Sequence, residues 1–248
     1  MHLCSKVVGM NSPKITLAFV RHGEYQQKPE TPSAFQPFGL TAKGKEQSEA
    51  TAKIIEQFAQ AHHLKIHSSI YSSNLLRAWQ TANIIKDNMA DRPQIETSSQ
   101  INERSVGAVA NLTVTEIEAL LKEDPRYECP DFNWKSDSYY CLPFDGAESL
   151  MDSGERLAKF IHKEFLNLRN TVKQNTLMII VGHGASFRHA AYLLGILEFE
   201  QIAKYSMYHA SPLFFEYAIA KNQQGGSFIK IHGEWKVRAV DKTELMID

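Results

Sequence analysis

The chain has 248 residues, a formal net charge of −1, 43% hydrophobic and 22% charged residues. That length buries a sizeable core, and the near-neutral charge offers no basic field for nucleic acid or an anionic membrane surface. Cys4, Cys129 and Cys141 show no C-x-x-C spacing, which argues against a disulfide framework and a zinc site and fits a reducing compartment.

The first fourteen residues, MHLCSKVVGMNSPK, hold no apolar run long enough for a secretory signal. No stretch reaches the roughly 18 apolar residues of a membrane span. A cytoplasmic protein is expected, with a tail over 1–13 and one domain over 14–248.

In chain order, KITLAFV at 14–20 is a short apolar run between Pro13 and Arg21-His22-Gly23, and predicts a buried strand. Thr41 is a candidate N-cap for a helix to Ala61, with Ala50, Ile54, Ile55 and Phe58 at helical spacing. A second strand is expected over 66–72, a helix over 74–88, a short strand over 95–98 and a helix over 114–122. Residues 123–146 carry prolines, acids and aromatics without a period, as a functional lid, a binding loop or a disordered segment would. Their aromatic content argues against disorder. A long amphipathic helix is expected over 148–170, a very apolar strand over 176–181 and a helix over 185–195. A hairpin over 213–232, turning at Gly225-Gly226, and a strand over 235–240 complete the chain. Alternating strands and helices imply a three-layer α/β/α fold with a mostly parallel sheet and an antiparallel edge near the C-terminus.

On this map Arg21-His22-Gly23 and His183-Gly184 both end strands at the C-terminal edge, where ligands bind in open α/β sheets. Arg77 opens the helix after the second strand, and Glu103 follows the third. Arginine offers a planar fork to phosphate oxygens, a neutral imidazole can attack phosphorus, and a carboxyl group can protonate the leaving alkoxide. Each residue alone reads equally well as a turn, a solvated helix position or a loop acid.

Six ordered blocks, RHGE at 21–24, LTAKGKEQ at 40–47, YSSNLLRAWQTA at 71–82, INERSVG at 101–107, GAESLMDSGER at 146–156 and VGHGASFRHAA at 181–191, resemble the histidine phosphatase superfamily. That superfamily includes cofactor-dependent phosphoglycerate mutases and many phosphomonoesterases. The resemblance implies a phosphoglycerate mutase-like fold and a phosphohistidine on His22. It implies a phosphate pocket from Arg21, Arg77, His183 and Gly184, with Glu103 as general acid and then base. It implies no metal or other cofactor, and the ten histidines include no H-E-x-x-H spacing. The expected partner is a phosphorylated small molecule or a phosphoprotein, with nucleic acid and membrane excluded and the oligomeric state open. Hydrolysis of phosphomonoesters is the primary expectation. Mutase activity, a protein phosphatase of the same superfamily and a non-catalytic phosphoprotein-binding module are the alternatives; the last is disfavoured by the presence of His22, Glu103 and His183.

Some positions depart from the family pattern. Tyr25 and Lys28 stand where many relatives carry a serine and an asparagine near phosphate, so Lys28 either offers charge or faces solvent, and Gln26 or Gln27 could supply the amide. His209 stands where asparagine is common and reads as a core or supporting histidine. Arg188 is expected on backbone or carboxylates, Glu148-Ser149 as a helix cap, Asp152–Arg156 as an i,i+4 ion pair, and His62-His63 as solvated. The expected lid, about 104–147, sets Arg104, Lys122, Arg126 and Lys135 against eight acids, a balance that repels a doubly anionic substrate. Its aromatics, Tyr127, Phe132, Trp134, Tyr139, Tyr140 and Phe144, either line a leaving-group pocket or pack the lid down.

Overall fold

A computed structural model describes residues 13–33, 35–128, 130–131, 133–219 and 226–238. Six strands form one sheet in the order β3-β2-β4-β1-β6-β7: β1 Ile15–Arg21, β2 Lys65–Ser73, β3 Gln94–Ser98, β4 Thr176–Gly182, β6 Pro212–Ile219 and β7 Gly226–His232. The β1, β2, β3 and β4 pairings are parallel, while β6 runs antiparallel to both β1 and β7. The expected mostly parallel sheet with an antiparallel edge is therefore present.

Strand alternation explains the layers. On β1 and β4, Ala18, Val20, Leu177, Ile179 and Val181 face one side. They pack with Ala52, Ile55 and Phe58 of α1 (Ala42–Ala61) and Ala78, Ala82 and Ile85 of α2 (Leu76–Asp87). Leu17, Phe19, Met178 and Ile180 face the other side, against Leu157, Ile161 and Phe165 of α4 (Leu150–Thr171) and Phe187 and Ala190 of α5 (Gly184–Leu193). Both faces of β1 and β4 are thus buried, and their uniformly apolar sequence follows.

Thr41 caps α1 by accepting from Gly44 N, and Ser149 caps α4 in a reciprocal box with Asp152. That box corrects one expectation: Asp152 caps the helix, and Arg156 pairs instead with Glu148, at 2.8 and 2.9 Å. A short helix, α6 (Phe199–Lys204), and a two-stranded sheet of β5 (Tyr205–Ser206) with β8 (Lys236–Val237) were not foreseen as such. The expected strand over 235–240 reduces to β8 among the described residues. The hairpin turn at Gly225 lies outside them.

Between β3 and α4, α3 (Val114–Glu123) and irregular chain enclose an apolar cluster of Val106, Val109, Ile117, Leu121, Trp134 and Leu142. Tyr127, Tyr140 and Phe144 pack against that cluster, and the Trp134 indole donates to Glu118 at 3.0 Å. These aromatics pack the insert upon itself. Tyr139 differs: it is exposed and stacks on Phe199. Phe132 lies outside the described residues. No helix among the described residues is long and apolar enough to cross a membrane.

Candidate active site

The parallel register of β1 and β4 sets Arg21 opposite Gly182, so the next residue of each chain segment, His22 and His183, emerge side by side. Their ring centroids are 5.2 Å apart, and the His22 amide donates to Gly182 O at 2.9 Å. Both histidines are buried. The sheet edge thus assembles two rings that are 161 positions apart in the sequence.

The tautomer of His22 follows from its partners. Nδ1 lies 2.8 Å from Gly23 O, which can only accept, so Nδ1 carries the proton. Nε2 then holds a lone pair, and Arg77 Nε donates to it at 3.2 Å. Burial first, then the charges of Arg77, His183 and Arg21, holds the His22 pKa well below the usual histidine value. The ring is therefore neutral and basic at one nitrogen. Burial, Arg77 and Arg21 likewise depress His183.

Arg77 is fully buried beneath the chain that follows Glu24. Its Nη1 and Nη2 donate to Gln36 O and Ser33 O at 3.1 and 3.0 Å, and its guanidinium lies 4.6 Å from the Tyr25 ring centroid. Tyr25 also meets the His22 ring edge-on and bonds Ser33 Oγ at 2.8 Å. The segment after RHGE is thus a strap across the site, pinned to the insert by Val114 N on Glu30 O and by Lys28 Nζ on Asn111 O at 2.8 Å. Lys28 therefore anchors the strap and does not enter the phosphate pocket; Gln26 is exposed and Gln27 half-buried.

Glu103 is held by four donors. Its Oε1 accepts from Arg104 N, Ser186 N and Ser186 Oγ at 3.0, 3.2 and 2.7 Å, and its Oε2 from Ala185 N at 3.4 Å. Two of those donors are first-turn amides of α5, where the exposed N–H groups and the helix dipole favour an anion. Glu103 acts electrostatically on Arg77 and Tyr25, which places its charge within the same site. Arg21 donates to Met207 O at 2.9 Å, and a side chain at Gly184 would crowd Arg21 Nε at 3.3 Å.

Several supporting residues escaped sequence reasoning. Ser73 Oγ donates to Asn102 Oδ1 at 2.8 Å, so His183 Nε2 must donate to Ser73 at 2.8 Å. His183 Nδ1 is then left without a hydrogen-bond partner among the described residues. Arg156 Nη1 bonds the carbonyls of Ser99, Gln100 and Asn102, and Glu148 accepts from Ser105 N, which frames the segment carrying Glu103. The ESLMDSGER block signalled this role only as a helix start. His209 Nδ1 donates to the His22 carbonyl at 2.9 Å, a supporting contact. Arg188 donates to Tyr205 O at 2.7 Å, and His62 and His63 are exposed. No group of three or more His, Cys, Asp or Glu side chains among the described residues could hold a metal ion.

The structure is a three-layer α/β fold with two buried histidines, two buried arginines and a helix-held carboxylate gathered at one sheet edge. The histidine phosphatase superfamily (branch 1) matches residues 17–223, and the chain belongs to it. It is 26% identical over 205 residues to the 2,3-bisphosphoglycerate-dependent phosphoglycerate mutase of Parvibaculum lavamentivorans, covering 81% of this chain and 89% of that one. Its fold is similar to that of mycobacterial glucosyl-3-phosphoglycerate phosphatase, with a TM-score of 0.64, 18% identity, and coverage of 90% and 97% of the two chains. The α-ribazole phosphatase of Shigella flexneri is also similar, with a TM-score of 0.62, 19% identity, and coverage of 86% and 94%. At these identities the structural likeness is one of fold.

Proposed function

We propose that the chain is a phosphomonoester hydrolase acting through a phosphohistidine on His22. The observation that carries this reading is the His22 tautomer, with Nδ1–H on Gly23 O and a lone pair at Nε2 facing Arg77. Nε2 attacks phosphorus, the bond to the alcohol oxygen breaks, and the departing oxygen takes a proton. Water then attacks the phosphohistidine, loses its proton to Glu103, and releases inorganic phosphate and free His22.

Arg77 must turn its donors from the Ser33 and Gln36 carbonyls and from Nε2 to the phosphoryl oxygens, so the strap moves when substrate enters. Arg21, Arg77 and His183 then stabilise the equatorial charge, with Gly184 giving Arg21 room. Three backbone amides and the Ser186 hydroxyl are directed at the Glu103 carboxylate. The first proton therefore arrives with the substrate, and Oε2, with one long contact, is the oxygen that exchanges it.

The test is acid-quenched trapping of protein-bound phosphate during turnover of an aryl phosphate in excess chelator. Wild type is expected to carry label and His22→Ala none; label that persists on the variant removes His22 from the role. A second reading, phosphate return to a second alcohol as in a mutase, is favoured by the similarity to phosphoglycerate mutases. Conversion of 3-phosphoglycerate in the same preparations, without net phosphate release, would select it.

A further inference from the structure

We propose that Tyr25 is a positioning residue for phosphoryl transfer, its ring being the fixed seat on which the Arg77 fork redirects its donors from the strap to the phosphoryl group. This deepens the hydrolase reading and rests on it for the identity of that group.

One ring touches both the nucleophile and the fork. The Arg77 guanidinium lies over the Tyr25 ring, 4.6 Å from its centroid, and the His22 ring meets the same ring at 5.2 Å and 89°. Arg77 Nε in turn reaches His22 Nε2 at 3.2 Å. Tyr25 is 5% exposed and Arg77 fully buried, so the charge meets the ring face out of water, where such a contact is strongest. The place of the ring therefore sets the separation of fork and nucleophile.

Tyr25 stands at the fixed root of the strap. Its backbone is bridged to Leu40, beside the start of α1, and flanking bonds run from Gln26 N to Gly39 O and from Thr41 N to Glu24 O, both at 3.0 Å. Between Lys28 and Gln36 the strap is instead closed on itself. Lys28 N donates to Gln36 Oε1 at 2.8 Å, and Gln36 Nε2 donates to Pro32 O at 3.0 Å. Both carbonyls that hold Arg77, those of Ser33 and Gln36, belong to this closed part. Lifting it for substrate takes two acceptors from Arg77 at once and breaks the bond between the Tyr25 hydroxyl and Ser33 Oγ. The ring itself stays with α1.

Hydrogen bonds to carbonyls are directional, whereas a cation is drawn to a ring face whichever way its N–H groups point. Arg77 can thus exchange carbonyl oxygens for phosphoryl oxygens and remain on Tyr25 throughout. A seat that persists in both states keeps the donors aimed where charge develops.

The experiment compares kcat/KM for 4-nitrophenyl phosphate in wild type, Tyr25→Phe and Tyr25→Leu, each also combined with Arg77→Ala. Tyr25→Phe lacks only the hydroxyl, so its ratio to Tyr25→Leu reads the ring face. That ratio is expected to be about tenfold, within the range of a desolvated cation–π contact. In the Arg77→Ala background it should fall below about twofold, because the partner is gone. A role in packing alone would give the same ratio in both backgrounds, and that result, or equal activity of Tyr25→Phe and Tyr25→Leu, overturns the proposal. If Tyr25→Leu does not fold, phenylalanine carrying successive ring fluorines at position 25 keeps the shape and weakens the face. A stepwise fall of kcat/KM with fluorine upholds the seat, and indifference to fluorine overturns it. If wild type does not hydrolyse the ester, the hydrolase reading fails separately, and calorimetric binding of orthovanadate to the same variants decides Tyr25. Weaker binding in Tyr25→Leu than in Tyr25→Phe, lost with Arg77→Ala, upholds it; equal binding, a difference that survives Arg77→Ala, or no binding to wild type overturns it.

Discussion

Gly23 and Gly44 meet backbone to backbone: a Cβ on Gly23 would collide with Gly44 O, and one on Gly44 with Glu24 O. The contact seats the first turn of α1 directly on the loop that carries His22. Because backbone blocks backbone, no side chain can swing aside, and Gly44→Ala should cost about 3 kcal/mol, the upper part of the usual overpacking range. Urea unfolding of Gly44→Ala against Gly146→Ala checks this. Gly146 has φ of +78° but only an ordinary contact at its Cβ, with Gly107 Cα at 3.8 Å, so its substitution should cost only about 1 kcal/mol of backbone strain.

That pair also shows what the sequence revealed. Gly23 and Gly44 sit in two blocks whose resemblance was legible, yet their contact was not, since nothing local to either block names its partner. Strand ends were readable because apolar runs stop abruptly at Arg21 and Gly182. The short α6 was not, because six residues with one buried position, Ile202, carry no usable period. Asp152 was misassigned because a capping box and an i,i+4 pair share the same spacing range, and Ser149 wins the competition.

Arg77→Lys tests the fork geometry. A lysine keeps the charge but cannot reach Nε2 of His22 and two carbonyls at once. The expected result is a fall in kcat/KM of about 100-fold, in the range of a lost transition-state donor. Phosphohistidine trapping in the variant should show slower formation rather than absence. An activity near wild type would show that charge alone suffices.

His209 should act by position. Its Nδ1–H supports the His22 carbonyl, a bond that an asparagine amide can also donate. His209→Asn is therefore expected to retain most of kcat/KM, whereas His209→Ala should lose about tenfold, the value of a single hydrogen bond to the nucleophile's backbone. Equal losses in both variants would point to a role for the imidazole itself.

Acid stability follows from the buried rings. Burial is the largest influence on His22, His183 and His189, and all three pKa values are lowered, that of His189 to about 4. Each ring is therefore neutral in the folded chain at pH values where the unfolded chain already binds a proton. Stability is then full above the ordinary histidine value of about 6.5 and declines as pH falls below it. For His189 the decline ends near pH 4, where the folded ring also protonates, and it amounts to about 3 kcal/mol. His22 and His183, whose pKa values are also lowered by burial, add to the loss as pH falls. Urea midpoints should rise from pH 4 to 6.5 and flatten above, apart from contributions of the carboxylates at the acid end. The same neutrality sets activity: after correction for ionisation of the substrate, the acid limb of kcat/KM should lie below about 6.5, because His22 resists the proton that would block Nε2. An enzyme limb at or above that value would mean that His22 is solvated when substrate binds.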